Sequence, residues 1–130
     1  MVGNITVSMS LELLEAILED AKQHYPKETI LLLRGKGSKD MIHVEALIVP
    51  PLATYGDDFA NIPLHMLPID FSIIGMVHSH PSGSLTPSDV DVNHFFGRIL
   101  MIVGFPFAGQ DNIAIYNSYG EKTQLYITPS

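Results

Sequence analysis

The chain has 130 residues, of which 46% are hydrophobic and 16% are charged, and this length and composition are typical of one domain with its own core. Its 14 acidic residues outnumber its 7 basic residues, giving a formal net charge of −7. This balance argues against a nucleic-acid partner, because binding to phosphates needs clustered Lys and Arg. The absence of cysteine excludes disulfides, cysteine nucleophiles and zinc sites built on thiolates. We expect residues 1–130 to form a single domain.

The sequence shows no targeting or membrane signal. No run of apolar residues reaches the roughly 18 that a transmembrane helix needs. The first nine residues lack the basic patch and apolar stretch of a signal peptide. We therefore expect a cytoplasmic protein with no membrane partner.

A first helix is predicted from Ser8 or Ser10, either of which can cap it, to about Gln23, since apolar residues recur there with helical spacing. Pro26 ends it. A second helix is predicted further on, with Thr86 at the N-cap, Pro87 at the first helical position and an end near residue 96 or 97.

Strand-like patterns occupy most of the remaining chain, with turns at 35–37 and 119–121 and a surface loop at 52–61. The predicted strands cover 29–34, 41–49, 62–66, 71–80, 98–105, 113–119 and 124–128. Two helices and six or seven strands in mixed order indicate an α+β, or mixed αβ, domain.

The candidate functional residues lie at the end of the predicted strand 71–80 and shortly after it. His78 and His80 are two residues apart on a strand, so both imidazoles project from the same face. Ser88 and Asp91 lie three apart at the start of the predicted helix and also share a face. Two histidines and one carboxylate are a common ligand set for catalytic zinc. Taken alone, the histidine pair also fits two ordinary strand histidines; its combination with Ser88 and Asp91 favours a metal site.

A hydrolytic zinc site also needs a base. Outside the first helix the glutamates considered are Glu28, Glu45 and Glu121. Glu28 precedes the most apolar strand, where an acidic residue has no packing purpose. From position alone, a solvated strand start explains it equally well.

An upstream Glu, then His-x-His, seven residues, Ser, two residues and Asp resembles the JAMM signature of MPN-domain (JAB1/MPN/Mov34) metalloproteases. The signature here comprises Glu28, His78, His80, Ser88 and Asp91, and the run Leu-Leu-Arg-Gly at 32–35 also matches. The resemblance covers nearly the whole chain and is greatest to minimal prokaryotic and archaeal members. It implies the cytidine-deaminase-like MPN fold, a central curved mixed β-sheet flanked by helices.

The resemblance also implies roles for the five signature residues. One Zn²⁺ would be held by His78, His80 and Asp91, with Glu28 as general base and Ser88 as a hydrogen-bond donor to the oxyanion. The implied activity is that of an isopeptidase or peptidase acting after the C-terminal tail of a ubiquitin-like modifier, with conjugates of that modifier as partners. A zinc hydrolase that processes a sulfur-carrier protein, and a non-catalytic scaffold that binds partner proteins, are the alternatives.

The chain departs from the family pattern at Leu31, where many members have a small residue, and it lacks the cysteine-containing loop of eukaryotic deubiquitinases. Four phenylalanines at 95, 96, 105 and 107 fit either the core or an apolar patch, which leaves a homodimer open. His65 is expected near the site, and His94 at a surface or core edge. His24 and His43 are expected to be structural or exposed.

Overall fold

The structure is a computed structural model that describes residues 5–49, 54–55, 60–61, 72–89, 91 and 97–129. Within these ranges one α-helix, α1 (Leu11–His24), is bounded at both ends, and a short 3-10 helix spans Gln110–Asn112. The strands are β1 (Thr6–Ser10), β2 (Ile30–Gly37), β3 (Met41–Ile48), β4 (Thr54–Tyr55), β5 (Ala60–Asn61), β6 (Ile73–His80), β7 (Ile99–Gly104), β8 (Ile113–Asn117) and β9 (Gln124–Thr128). Among the described residues, no helix is both long and apolar enough to cross a membrane.

Seven strands form one sheet in the order β8-β7-β6-β2-β3-β1-β9, and β4 pairs with β5 separately. The sheet is mixed, because β1 runs parallel to β3 and β9, and β6 runs parallel to β7, whereas the other pairs are antiparallel. The edge strands approach each other, since the Thr123 N–H, next to β9, donates to the Ile115 carbonyl of β8 at 2.8 Å. The sheet is therefore strongly curved.

Helix α1 begins where the sequence predicts. The Ser10 side chain caps it by accepting a hydrogen bond from the Leu13 N–H at 3.1 Å. The helix ends at His24, one residue beyond the predicted end, with Pro26 following soon after. Its apolar stripe, Leu14, Ile17, Leu18 and Ala21, is buried against one face of the sheet.

The two faces of the sheet bury separate sets of side chains, because successive residues of a strand point to opposite faces. In β2, Leu31 and Leu33 belong to the core beneath α1, whereas Ile30 and Leu32 pack with Met76 on the other face. Ile30 lies directly opposite His78 across the β2–β6 pair. The histidine pair therefore lies on the face away from α1, and Leu31 packs on the side opposite the site.

Three predictions about strands and their connections are wrong. Strand β1 was not predicted, because its five residues lie between β3 and β9, partners distant in sequence that local patterns do not reveal. The expected turn at 35–37 is a continuation of β2 past a bulge between Arg34 and Gly35. Gly35 is required there, since a Cβ would lie 2.0 Å from the His43 carbonyl oxygen. The expected loop at 52–61 includes the antiparallel β4–β5 pair.

The other strand predictions agree with the structure to within a few residues. The predicted strand 62–66, His65, His94 and the phenylalanines at 95 and 96 lie outside the described residues. Phe107 is buried in the core, whereas Phe105 is about half exposed and stacks on Tyr25. As expected, His24 and His43 are exposed. His24 hydrogen-bonds to the Asp20 carbonyl, and His43 to the Ser8 hydroxyl at 2.8 Å.

Candidate metal centre

The structure gathers four of the five predicted residues into one buried cluster on the face away from α1. The Asp91 carboxylate lies between the two histidines, with Oδ1 at 3.0 Å from His78 Nδ1 and Oδ2 at 2.8 Å from His80 Nε2. Glu28 Oε1 lies farther out, at 3.9 Å from His78 Nδ1 and 4.0 Å from His80 Nε2. Ligand atoms of Glu28, His80 and Asp91 all lie within 4.8 Å of one another, close enough to share an ion.

Three buried polar atoms of this cluster lack hydrogen-bond partners. Among the described residues, the buried side-chain atoms without a hydrogen bond are His78 Nδ1, His78 Nε2 and Asp91 Oδ1. His78 Nδ1 and Asp91 Oδ1 are close but are not aligned as a hydrogen bond. Leaving such atoms unpaired destabilises a folded protein by about 1–3 kcal/mol each. A cation between them would satisfy two of the three, so the residues fit a metal ion.

His80 is prepared as a ligand by its second nitrogen. Its Nδ1 donates a hydrogen bond to the Ser84 carbonyl at 2.9 Å, and because a carbonyl can only accept, Nδ1 carries the proton. In the neutral imidazole this leaves the lone pair on Nε2, which faces the Asp91 carboxylate. A lone pair opposite a carboxylate oxygen needs either a proton or a cation between them. The hydrogen bond from Nδ1 to a carbonyl is typical of metal-binding histidines.

Electrostatics couples these groups. Burial alone would raise the pKa of the Asp91 carboxyl, but the facing imidazoles of His78 and His80 hold that pKa well below its usual range. Burial opposes protonation of both histidines, yet Asp91 and Glu28 outweigh it and raise the pKa of each imidazole. The site therefore concentrates negative charge where a cation would bind.

Asp91 is held by the start of the second helix. The Ser88 hydroxyl accepts from the Asp91 N–H at 3.1 Å, while Asp91 Oδ2 accepts from the Ser88 N–H at 2.9 Å. This reciprocal pair is a capping box, with Ser88 at the N-cap and Asp91 three residues later. The predicted N-cap, Thr86, is wrong, because helical structure starts at Asp89. The Ser88 hydroxyl is used here as an acceptor, so its own proton is still available to donate.

The loop between β6 and this helix bends back over the strand end. The Gly83 N–H donates to the His80 carbonyl at 3.0 Å, and Gly83 has a φ of 87°, a conformation that favours glycine. From β8, the Tyr116 hydroxyl donates to the Leu85 carbonyl at 2.7 Å. These contacts fix the Ser84 carbonyl that accepts the hydrogen bond from His80 Nδ1.

A cleft of about 620 Å³ opens on the cluster. It is lined by Pro26, Glu28, His80, Pro81, Ser82, Ser84, Thr86 and Ser88. His78 and Asp91 do not line it, since only 0% and 1% of their surfaces are exposed. A molecule in the cleft would therefore meet Glu28, His80 and Ser88, with the other two residues behind them.

The structure separates Glu28 from the other carboxylates considered. Glu28 is 6% exposed and faces both histidines, whereas Glu45 and Glu121 are exposed. Two residues that support the site were not predicted: Ser84, whose carbonyl accepts the hydrogen bond from His80, and Tyr116, whose hydroxyl binds Leu85 in the same loop. Ser84 acts through its backbone, which side-chain patterns do not show.

A family model described as prokaryotic homologs of the JAB domain matches residues 10–116 of the chain. The chain belongs to the JAB domain family. It is 32% identical over 128 residues to a probable metalloprotease of Haloferax volcanii, covering 92% of this chain and 78% of that protein.

Two solved structures support the same assignment of this JAB domain. A JAB1/MPN domain protein from Archaeoglobus fulgidus is 35% identical, with a TM-score of 0.66 over 93% of this chain and 98% of its own. A structure described as JAMM, a metalloprotease-like zinc site in the proteasome and signalosome, is 33% identical, with a TM-score of 0.63 over 96% of this chain and 98% of its own. The expected MPN fold and the resemblance to the JAMM family are confirmed.

Proposed function

We propose that this JAB domain is a zinc-dependent peptidase that hydrolyses the amide or isopeptide bond after the C-terminal tail of a ubiquitin-like modifier. The observation that carries the proposal is the buried Asp91 carboxylate between two imidazoles, with unpaired nitrogen and oxygen atoms, at the back of an open cleft. The similarity to a probable metalloprotease and to a JAMM zinc-site structure supports it.

His78, His80 and Asp91 would hold the Zn²⁺, because the Asp91 carboxylate contacts both imidazoles, at 3.0 and 2.8 Å, and His80 presents the lone pair of Nε2 to that carboxylate. Two nitrogen ligands and one carboxylate are typical of catalytic zinc, which keeps its fourth position open. Bound Zn²⁺ supplies Lewis acidity, lowering the pKa of a water molecule to about 7 and offsetting negative charge on the substrate oxygen.

Glu28 would act as the general base. Its carboxylate lines the cleft and lies farther from the two histidine nitrogens than Asp91 does, which leaves it room to contact a water molecule. It takes a proton from the attacking water and returns it to the nitrogen of the leaving amine. The Ser88 hydroxyl, at the cleft wall, donates a hydrogen bond to the developing oxyanion.

A single assay tests the function. The purified protein is incubated with an isopeptide-linked conjugate of a ubiquitin-like modifier, with and without a chelator, beside Glu28→Gln. Cleavage should require zinc, and Glu28→Gln should bind zinc yet lose about 10²–10⁴-fold in kcat. The matched control is Glu45→Gln, an exposed glutamate on β3, which should leave the rate unchanged.

Absence of cleavage at one zinc per chain would overturn the proposal for such conjugates. Hydrolysis of a sulfur-carrier protein in the same assay would then identify the alternative substrate. Binding of either protein without hydrolysis would indicate a scaffold.

A further inference from the structure

Ser79 stands between the two histidines, and its side chain belongs to the other face of β6. Ser79 is 1% exposed. It contacts Thr29, which is also buried and directly follows Glu28 in the chain. The Ser79 hydroxyl oxygen accepts hydrogen bonds from the Thr29 N–H at 2.8 Å and from the Thr29 hydroxyl at 3.0 Å. In addition, the Ser79 N–H donates to the Thr29 carbonyl at 3.0 Å.

These contacts lie just beyond the last residue pair of the β2–β6 ladder, where they take the place of a regular backbone pair. The β2–β6 pairing reaches Ile30 opposite His78, so Thr29 and Ser79 form the next pair. In a regular antiparallel pair that shares hydrogen bonds, the two residues exchange both of their backbone bonds. Here one of the two is a backbone bond, and the Thr29 N–H binds the Ser79 side chain instead.

The consequence falls on Glu28, which precedes β2 and is separated from the ladder only by Thr29. Its carboxylate nevertheless lies at nearly equal distances, 3.9 and 4.0 Å, from the two histidine nitrogens. The hydroxyl of Ser79 fixes the backbone beside Glu28 to the strand that carries both histidines. We propose that Ser79 is a positioning residue that sets the Glu28 carboxylate relative to His78 and His80; its effect on turnover rests on the proposed function.

Ser79 acts through Glu28 and not through the metal ligands. Its side chain is on the face of β6 opposite to the imidazoles, and its described side-chain partner is Thr29. The contacts that hold Asp91 and His80 come from Ser88 and Ser84, on the loop after β6. Removing the Ser79 hydroxyl should therefore displace the base and leave metal binding intact.

The test is Ser79→Ala, which removes only the oxygen. We expect kcat to fall about 10- to 100-fold, because small misplacements of a catalytic group have effects of this size. KM and zinc affinity, measured by titration, should stay within about twofold, since the cleft and ligands are unchanged. Ser8→Ala is the matched control: it removes a hydroxyl from another buried strand serine, two strands away from β2, and should leave kcat unchanged. Ser79→Thr, which keeps the hydroxyl, should restore most of the rate.

A double-mutant cycle separates positioning from general destabilisation. In the Glu28→Gln background, Ser79→Ala should change the residual kcat by less than about twofold, because the base through which it acts is already gone. Equal losses in both backgrounds would overturn the proposal. If Ser79→Ala does not fold, Thr29→Val removes the hydroxyl–hydroxyl bond alone and should show the same dependence on Glu28 with a smaller loss.

A crystal structure of Ser79→Ala tests the geometry without turnover. The Glu28 carboxylate should move from its position near both histidine nitrogens, while Asp91 stays between them. An unmoved carboxylate would overturn the proposal even in an active enzyme. If the wild-type protein hydrolyses no conjugate, the proposed function fails, and this structure alone decides whether Ser79 positions Glu28.

Discussion

The two helix starts of this domain use the same local device for different purposes. At α1, the Ser10 side chain caps the helix by binding the Leu13 N–H. At the second helix, Ser88 caps by binding the Asp91 N–H. In both cases the serine hydroxyl satisfies a backbone donor three residues later, as helix N-termini require.

The residue that receives the cap makes the difference. Leu13 packs against the core beneath α1, so that cap contributes only to stability. Asp91 returns a bond to the Ser88 N–H and also faces His78 and His80. The second cap therefore fixes a buried carboxylate between two imidazoles. A stabilising motif thus becomes part of a site when tertiary packing brings ligands to it.

The largest expected effect comes from Asp91→Asn, which keeps an oxygen for the Ser88 N–H but removes the charge. We expect zinc-dependent hydrolysis to fall below detection and zinc affinity to fall at least about 100-fold, more than the loss of an outer partner produces. Zinc titration and the conjugate assay measure this. Asp89→Asn, the same change two residues earlier at an exposed residue, is the control. Zinc retained at one per chain would show that Asp91 is only a capping residue, like Ser10.

Ser88→Ala asks whether the second cap also takes part in the reaction. Loss of an oxyanion donor lowers kcat by about 10²–10³-fold, and loss of an N-cap destabilises by about 0.5–2 kcal/mol. We expect both effects, from steady-state kinetics and from denaturant unfolding. A stability loss with an unchanged kcat would contradict a role for Ser88 in the chemistry and make the two caps equivalent.

The stability of the metal-free protein and its affinity for zinc should depend on pH in opposite directions. Because the facing carboxylates raise the pKa of His78 and His80, their protonated forms stabilise the metal-free protein below the ordinary histidine pKa of about 6.5. This stabilisation is lost as pH rises through the raised pKa values. Zinc must displace these protons, so its affinity should rise with pH over the same window, by up to about 100-fold per pH unit for two protons.

Thermal unfolding at pH 6, 7 and 8, with and without zinc, measures both trends. The increase in Tm caused by zinc should grow with pH. A zinc-induced increase that is the same at all three pH values would contradict proton displacement from the two histidines.

The smallest expected effect is that of Ser10→Ala. It should destabilise the protein by about 0.5–2 kcal/mol through the lost cap and leave kcat, KM and zinc affinity unchanged. Denaturant unfolding and the conjugate assay check this. A change in kcat beyond about twofold would show that α1 communicates with the site on the opposite face of the sheet.

Much of the fold was predictable because its signals are local. The helical spacing after Ser10, the apolar runs of β6 and β7 and the turn near Gly120 each lie within a few consecutive residues. β1 was missed because both of its partners are distant in sequence. The continuation of β2 through Gly35 was missed because it depends on the His43 backbone, which approaches from the neighbouring strand.

The sequence by itself determined which residue types are available. It also determined which of them share a face: His78 with His80 by the period of a strand, and Ser88 with Asp91 by the period of a helix. Position alone left the role of Glu28 open, because an acidic residue before a strand is equally well explained by solvent, and only the resemblance to the JAMM signature assigned it as the base. Only the tertiary structure shows how Glu28 reaches the site: the β2–β6 pairing brings it within 4.0 Å of both histidine nitrogens across about fifty residues of chain. The tertiary structure also shows that Ser88, and not Thr86, caps the second helix, because Ser88 and Asp91 exchange hydrogen bonds that hold the Asp91 carboxylate beside the histidines.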